Sequence, residues 1–430
     1  MSDQVKPDNK LSIIDIEEKP PFTKSLPLSF QHLFAMFGAS ILVPILFKVN
    51  PATVLLFNGV GTLIYLFIAK GKIPAFLGSS FAFIAPVFYI MEHYDYQTAL
   101  GGFICTGIVF TIVALIVNKA GINWLNIIFP PASIGAIVAI IGLELGPTAA
   151  KMAGYTCEKA DYNSILVASV TLATVILGSV LFRGFLKAIP VLIRVVVGYL
   201  FALSIGMVNV EEIGSSSWLS VPTFYAPKFN LAAIMVILPA AFVVIAEHIG
   251  HLVVTGNIVA RDLTNDPGLD RSLFGNGIST IISGIFGSVP TTTYAENIGV
   301  MAITRVYSVW VIGGAAVISM ILAFSGKLIG VIKTIPSPVI GGISLLLFGI
   351  IAASGLRILI EEKVDYSKPR NLILTSMILI VGLSGTQLNI CQVPFKGMAL
   401  ATIVAVALNL IFIVLDKLKL TNELVETGNV

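Results

Sequence analysis

The chain has 430 residues, of which 56% are hydrophobic and only 11% charged, with a net charge of +3 and four histidines. Soluble domains carry about 25% charged residues, so a soluble enzyme, a nucleic-acid binder and a disordered scaffold are excluded. Three cysteines, Cys105, Cys157 and Cys391, are too few for a disulfide framework.

Met1–Pro21 is polar and lacks the apolar run and cleavage site of a secretory signal. Beyond it, stretches of the length a membrane span needs lie at 28–46, 52–69, 97–117, 131–149, 164–182, 188–208, 231–256, 305–325, 338–354, 371–387 and 397–415. Shorter apolar pieces at 78–91, 273–289 and 291–303 are broken by Gly, Pro and Thr. Together they predict fourteen segments. With the N-terminus inside, the loop parity leaves only Lys48, Lys151, Lys159, Lys228, Lys327, Lys333 and Lys396 outside, and every arginine except the intramembrane Arg194 inside. That is the excess the positive-inside rule expects.

Pro131-Ala132-Ser133-Ile134-Gly135 resembles Pro338-Val339-Ile340-Gly341-Gly342 at a shift of 207 residues. The same shift lays the span starting near 164 on the one starting near 371, and brings Gly78–Phe83 close to Thr291–Glu296. Seven segments per half is an odd number, so the repeats are inverted, as in secondary transporters. Paired interrupted segments mark the binding site in such folds, because extended backbone at membrane depth must be buried in protein or line a cavity.

Ionisable residues within the apolar stretches are His32, Glu144, Arg194, Glu247, His248, His251 and Glu296, each a functional candidate because charge in lipid is expensive. Glu144 is expected near a helix end at the interface, Arg194 to snorkel to the cytoplasmic side, and His32 to be a structural hydrogen-bonder. Glu247 and His251 share one helical face, and such a pair is expected to hold and release a proton near neutral pH. Glu247-His248-x-x-His251 inverts the order of the His-Glu-x-x-His zinc motif and lacks a placeable third ligand. Glu296 opens a short helix after the extended run Thr291–Ala295, where free N–H groups attract polar ligand atoms.

Glu296-Asn297-Ile298-Gly299-Val300-Met301-Ala302-Ile303-Thr304-Arg305 resembles the signature of the nucleobase–ascorbate transporter family. The likeness to its bacterial uracil permease branch runs from Gln31–Gly38 through Gly71–Phe83, Ala246–Asn257 and Lys363–Tyr366. The resemblance implies an all-α polytopic protein of fourteen segments, with short paired strands in segments three and ten. It also implies a proton-coupled uracil symporter of the bacterial inner membrane, both termini cytoplasmic, with no cofactor besides the coupling proton. The implied division is a tail (1–26), a core domain (27–118 and 229–326), a gate domain (119–210 and 327–415) through which two copies pair, and a second tail (416–430). Substrate contacts then fall to Phe81, Glu247, Tyr294, Ala295 and Glu296, and proton coupling to His251 with Glu247. Ala295 stands where the family has glycine, and Phe348 where a gate tyrosine is usual.

The ring N–H groups of uracil suit carboxylate acceptors, and Phe81 and Tyr294 offer flat faces to the base. Against a purine carrier, the resemblance implies that such a branch usually has glutamine where Glu296 stands; an anion exchanger is disfavoured by the acidity of the site, and a channel by the lack of a repeated polar lining. No nucleophile–base pair or metal set for an enzyme can be assembled.

Overall fold

The computed structural model describes residues 13–156, 161–182, 190–390 and 393–421. Cys157 and Cys391, whose pairing the sequence left open, lie outside the described residues. Each apolar stretch marked from the sequence holds a helix. The first part of the chain runs α1 (Phe22–Leu46), α2 (Pro51–Ile68), β1 (Leu77–Ser79), a 3-10 turn Phe81–Phe83 leading into α3 (Ile84–His93), and α4 (Tyr96–Ala120). There follow α5 (Asn123–Ile128), α6 (Pro131–Met152), α7 (Tyr162–Leu181), α8 (Pro190–Ser204) and α9 (Val210–Ser215). The second part runs α10 (Leu231–Val259), α11 (Leu269–Phe286), β2 (Thr291–Thr293), α12 (Ala295–Thr304), α13 (Val309–Leu322), α14 (Gly326–Lys333), α15 (Ser337–Glu361), α16 (Pro369–Leu383) and α17 (Gly397–Lys417). Among the described residues, eight helices are long and apolar enough to cross a membrane, and four shorter apolar helices accompany them.

Local chemistry sets the boundaries. Asn50, Asp95, Asp161 and Asn230 accept from the first-turn amides of α2, α4, α7 and α10, satisfying donors that a helix start leaves open. Small residues let long helices touch at backbone distance. A Cβ on Gly142 of α6 would lie 2.1 Å from the Phe348 carbonyl of α15, and one on Gly355 of α15 would lie 2.3 Å from the Ala139 amide of α6. α11 is the least apolar of the long helices because it is interior. Ser272, Asn276, Ser279, Thr280 and Ser283 are all buried within the protein, and the first four bond residues of α2, α10 and β2 rather than face lipid.

Three expectations change. The stretch 371–387 ends as a helix at Leu383, and its last residue begins a hairpin, β3 (Gln387–Ile390) against β4 (Val393–Lys396). Glu144 is two turns inside α6, and its Oε2 accepts from the Met398 amide at 2.9 Å, capping α17. Arg194 is buried, with Nη2 donating to Ser179 Oγ at 2.5 Å, so its charge is held inside the protein. α1 starts at Phe22, within the expected tail 1–26, and Ile14–Glu18 is bonded to the protein.

Asp95 both caps α4, accepting from Thr98 N at 2.9 Å, and pairs with the Lys228 ammonium. That ammonium, with Thr98 behind it, holds the Asp95 carboxyl at about 2, below the usual 3.8. A depressed carboxyl pKa stabilises the fold above the unfolded value, and the contribution is lost as pH falls toward the folded one. Asp95→Ala should therefore cost about 1 kcal/mol at neutral pH, mostly through the lost cap. In melting curves, the gap from the unmodified chain should stay level above pH 3.8 and narrow toward pH 2.

Candidate functional site

Two three-residue stretches of extended backbone meet in the middle of the helical bundle. β1 and β2 pair antiparallel, with Leu77 opposite Thr293, Gly78 opposite Thr292 and Ser79 opposite Thr291. Ser80 N donates to Pro290 O at 3.0 Å and Tyr294 N to Phe76 O at 3.2 Å, so the ladder runs one residue further at each end. Such backbone has to satisfy its polar groups within the protein, and hydroxyl side chains complete the work. Thr62 Oγ1 of α2 accepts from Leu77 N at 2.9 Å, and Thr280 Oγ1 of α11 accepts from Thr291 N at 3.3 Å.

Because the strands are antiparallel, the helical pieces that follow them leave in opposite directions from the two ends of the short ladder. The 3-10 turn Phe81–Phe83 and α12 both begin without a side-chain cap. First-turn amides that no side chain satisfies are donors open to a ligand, reinforced by the helix dipole. The sequence-predicted residues gather around these two starts. Ala295 is exposed within a run of buried residues, and Phe81 and Glu296 are partly exposed.

α10 packs along this junction, touching α3, β2 and α12. Its Glu247 lies close enough to Glu296 for the two charges to interact. His251, one turn on, bonds Thr293 of β2, with Nδ1 to Oγ1 at 3.1 Å. Two carboxyls, an imidazole and two helix starts thus surround one region. The predicted shared face of Glu247 and His251 is the face turned to the strands. His248 sits apart, its Nε2 bonded to Ser272 Oγ at 2.7 Å, which in turn meets the Tyr65 hydroxyl at 2.6 Å. The two histidines of the inverted zinc-like motif therefore have different partners, and no metal-holding group of His, Cys, Asp or Glu occurs among the described residues.

Tyr294 sits at the strand junction. Its ring is buried on Gly78 and its hydroxyl donates to Ser79 O at 3.2 Å, so it locks the strand junction. The open aromatic face is that of Phe81. Phe348 of α15, also buried, meets the Phe81 ring edge-on at 6.4 Å and 77°, and so closes the region from the far side.

Sequence reasoning left the partners in three supports unread. His32 is fully buried and its Nδ1 bonds Asn297 Oδ1 at 2.9 Å, while Asn297 Nδ2 donates to Pro74 O at 3.2 Å. These bonds tie α1, the approach to β1 and α12 together, and they bear out the structural role read for His32. Thr293 as the partner of His251 follows from strand alternation only once β2 is paired. The His248–Ser272–Tyr65 chain joins three helices distant in sequence and leaves no local signal.

Gly78 is needed for close approach, since a Cβ there would lie 2.2 Å from Tyr294 Cζ. Gly78→Ala should displace that ring, break its bond to Ser79 and cost about 1–3 kcal/mol, the usual range for overpacking. Thermal unfolding in detergent measures the loss. Tyr294→Ala in the same chain should relieve the clash, giving a double variant more stable than additivity predicts.

A family model described as Permease family (Xan_ur_permease) matches residues 23–391. The uracil permease of Escherichia coli (strain K12) is 60% identical over 409 residues, covering 94% of this chain and 95% of that protein. The uracil permease of Bacillus subtilis (strain 168) is 46% identical over 411 residues, covering 93% and 94%. Among solved structures, the murine Solute Carrier 26 family member A9 anion transporter, in an inward-facing state, superposes with a TM-score of 0.70 at 12% identity, over 93% of this chain and 69% of that one. The transmembrane domain of the cyanobacterium bicarbonate transporter BicA gives 0.59 at 13% identity, over 92% and 99%. At such identities the two structures share the fold alone. The chain belongs to this permease family: it is a multi-pass helical membrane protein, a transporter and not an enzyme, with the architecture seen in those two proteins.

Proposed function

We propose that this chain is a proton-coupled symporter that imports uracil by alternating access, binding the base between the starts of the Phe81–Phe83 turn and α12. The observation that carries this reading is the convergence of two uncapped helix starts with Glu247, Glu296 and His251 on a paired-strand junction. Relatives named uracil permease at 60% and 46% identity support the same ligand.

Uracil presents N1–H and N3–H as donors and O2 and O4 as acceptors. Carboxylates accept such N–H groups strongly, which suits Glu247 and Glu296, and the backbone amides at Phe81 and Ala295 suit the carbonyls. Phe81 covers one face of the ring, with Phe348 beyond it. The base is neutral, whereas each carboxyl is neutral only while it holds a proton. Carrying two unneutralised carboxylates through an apolar passage is costly, so protons that travel with the base lower the barrier to the loaded transition. His251, bonded to β2 beside Glu247, is the group to receive and pass that proton.

Fourteen segments arranged as seven plus seven inverted repeats are the frame of this reading. Its support is that the helix contacts recur with the halves exchanged. α4 packs on α11 and α2 on α13; α7 on α15 and α6 on α16; α1 on α8 and α10 on α17; α1 on α12 and α10 on α3. The core is 27–118 with 229–326 and the gate 119–210 with 327–415. The core carries the acidic groups, and the gate contributes Phe348. Two copies pairing through the gate in the bacterial inner membrane, with both termini cytoplasmic, complete the proposal.

Glu296→Gln replaces a pure acceptor with a group that also donates, and a lost charged hydrogen bond costs about 1.5–3 kcal/mol. Calorimetry should show uracil binding weakened roughly tenfold or more, and unchanged affinity in a folded variant removes Glu296 from the site. Ala295→Gly should keep most binding, whereas Ala295→Pro, which removes the amide donor, should abolish it in protein whose melting curve remains cooperative. In proteoliposomes an imposed proton gradient should drive uracil accumulation, with His251→Ala losing accumulation more than binding. Failure of the gradient to drive uptake by the unmodified chain contradicts symport.

A further inference from the structure

The segment ahead of α1 forms a strand-like strap on the protein. Ile14 N donates to Arg305 O at 3.1 Å, Tyr307 N to Ile14 O at 2.8 Å and Val309 N to Ile16 O at 3.0 Å, so the segment runs parallel to the loop between α12 and α13. Ser308 Oγ adds a bond to Glu18 O at 2.6 Å, and the Ile16 side chain is fully buried. Arg261, just past the left-handed residue Ala260 that ends α10, holds the other edge. Its Nη1 donates to Glu17 Oε1 at 2.6 Å, and its Nη2 to Glu17 Oε2 at 3.0 Å and Asp15 Oδ2 at 2.8 Å. This is the forked geometry in which guanidinium binds carboxylate best. The guanidinium also holds the Glu17 carboxyl below its usual range.

What the strap joins gives it a role. Arg261 follows the helix that carries Glu247 and His251. The Arg305 carbonyl ends α12, the helix that opens with Glu296. Both helices are stiff, and they touch each other, so a shift at either tied end is carried along the axis to the acidic groups. A displacement of about 1 Å is enough to matter in a binding constellation.

The far end of the fold has a matching contact. Lys228, just ahead of α10, donates its amide to Gln97 O at 2.9 Å and pairs with Asp95 in the loop between α3 and α4. Each interrupted segment is thus fastened by the residues that precede the long helix of the opposite half. Only the Ile14–Glu18 strap adds a guanidinium clamp from a third helix.

We propose that Ile14–Glu18, clamped by Arg261, is a positioning strap that sets the placement of Glu247 and His251 relative to Glu296. The inference rests on the uracil-site reading above. Its hold combines main-chain bonds around the buried Ile16 with half-exposed ion pairs, which makes it adjustable: salt and neutral substitutions loosen the second without removing the first.

Two measurements on the full chain in lipid nanodiscs test it. Coupling between linked sites is reciprocal, so uracil bound to the unmodified chain should slow hydrogen exchange at the Ile14, Tyr307 and Val309 amides. Asp15→Asn with Glu17→Gln should raise the uracil Kd by about fivefold, the lower edge of ordinary coupling, while the melting temperature stays near that of the unmodified chain. Exchanging the charges, Arg261→Glu with Asp15→Arg and Glu17→Arg, should bring the Kd back toward its original value, which general destabilisation would not do. Exchange at those amides that ignores uracil, or an unchanged Kd in the folded double variant, overturns the strap. The exchange arm needs no variant and so does not depend on one folding. An unmodified chain that binds no uracil would instead overturn the site reading itself, so the two failures are distinguishable.

Discussion

Extended backbone inside a bilayer has almost nowhere to go, and the pairing of β1 with β2 is this chain's answer. Six residues far apart in sequence satisfy one another's amides and carbonyls, and threonine hydroxyls from α2 and α11 take up much of the remainder. Leaving such groups unpaired in hydrocarbon would cost several kcal/mol each, so the ladder holds the two parts of the chain in fixed register. The positions of α3, α12 and every group on their first turns follow from it. Gly78 under the Tyr294 ring, the His32–Asn297 bond and the His251–Thr293 bond are fittings to that junction.

The same constraint accounts for where chemistry is possible. A helix that crosses the membrane whole hides its terminal amides near water, whereas one that starts at mid-depth offers them in a dry place. The Phe81 turn and α12 do this back to back, uncapped, and α10 brings carboxyl and imidazole alongside. Donors from the backbone and acceptors from side chains therefore meet in one region, which is the pattern that a flat ligand with alternating N–H and C=O groups requires. An anion would meet the carboxyls as like charges. The shared fold with anion transporters at 12–13% identity is accordingly consistent with a different ligand, since the site rather than the fold selects it.

Much of this was legible in the residues. Hydrophobic run length located every long helix, because lipid demands it, and glycine, proline and threonine marked both interrupted segments. Glu247 with His251 and Glu296 stood out because charge in an apolar run is conspicuous. What could not be read depended on pairings between distant residues. Nothing local says that Tyr294 spends its ring on Gly78, that Glu144 caps α17, or that Arg194 finds Ser179. The hairpin at Gln387–Lys396 hid because a strand pair at a helix end resembles a frayed helix, and the strap hid because Ile14 and Ile16 sit in an otherwise polar segment.

The most direct test of the account is an experimental structure of the chain with uracil bound. The account predicts the ring beside Phe81, with its N–H groups toward Glu296 and Glu247 and its carbonyls on the backbone amides at Phe81 and Ala295. Uracil found elsewhere, or resting in this region with no contact to either carboxyl or either helix start, would contradict it.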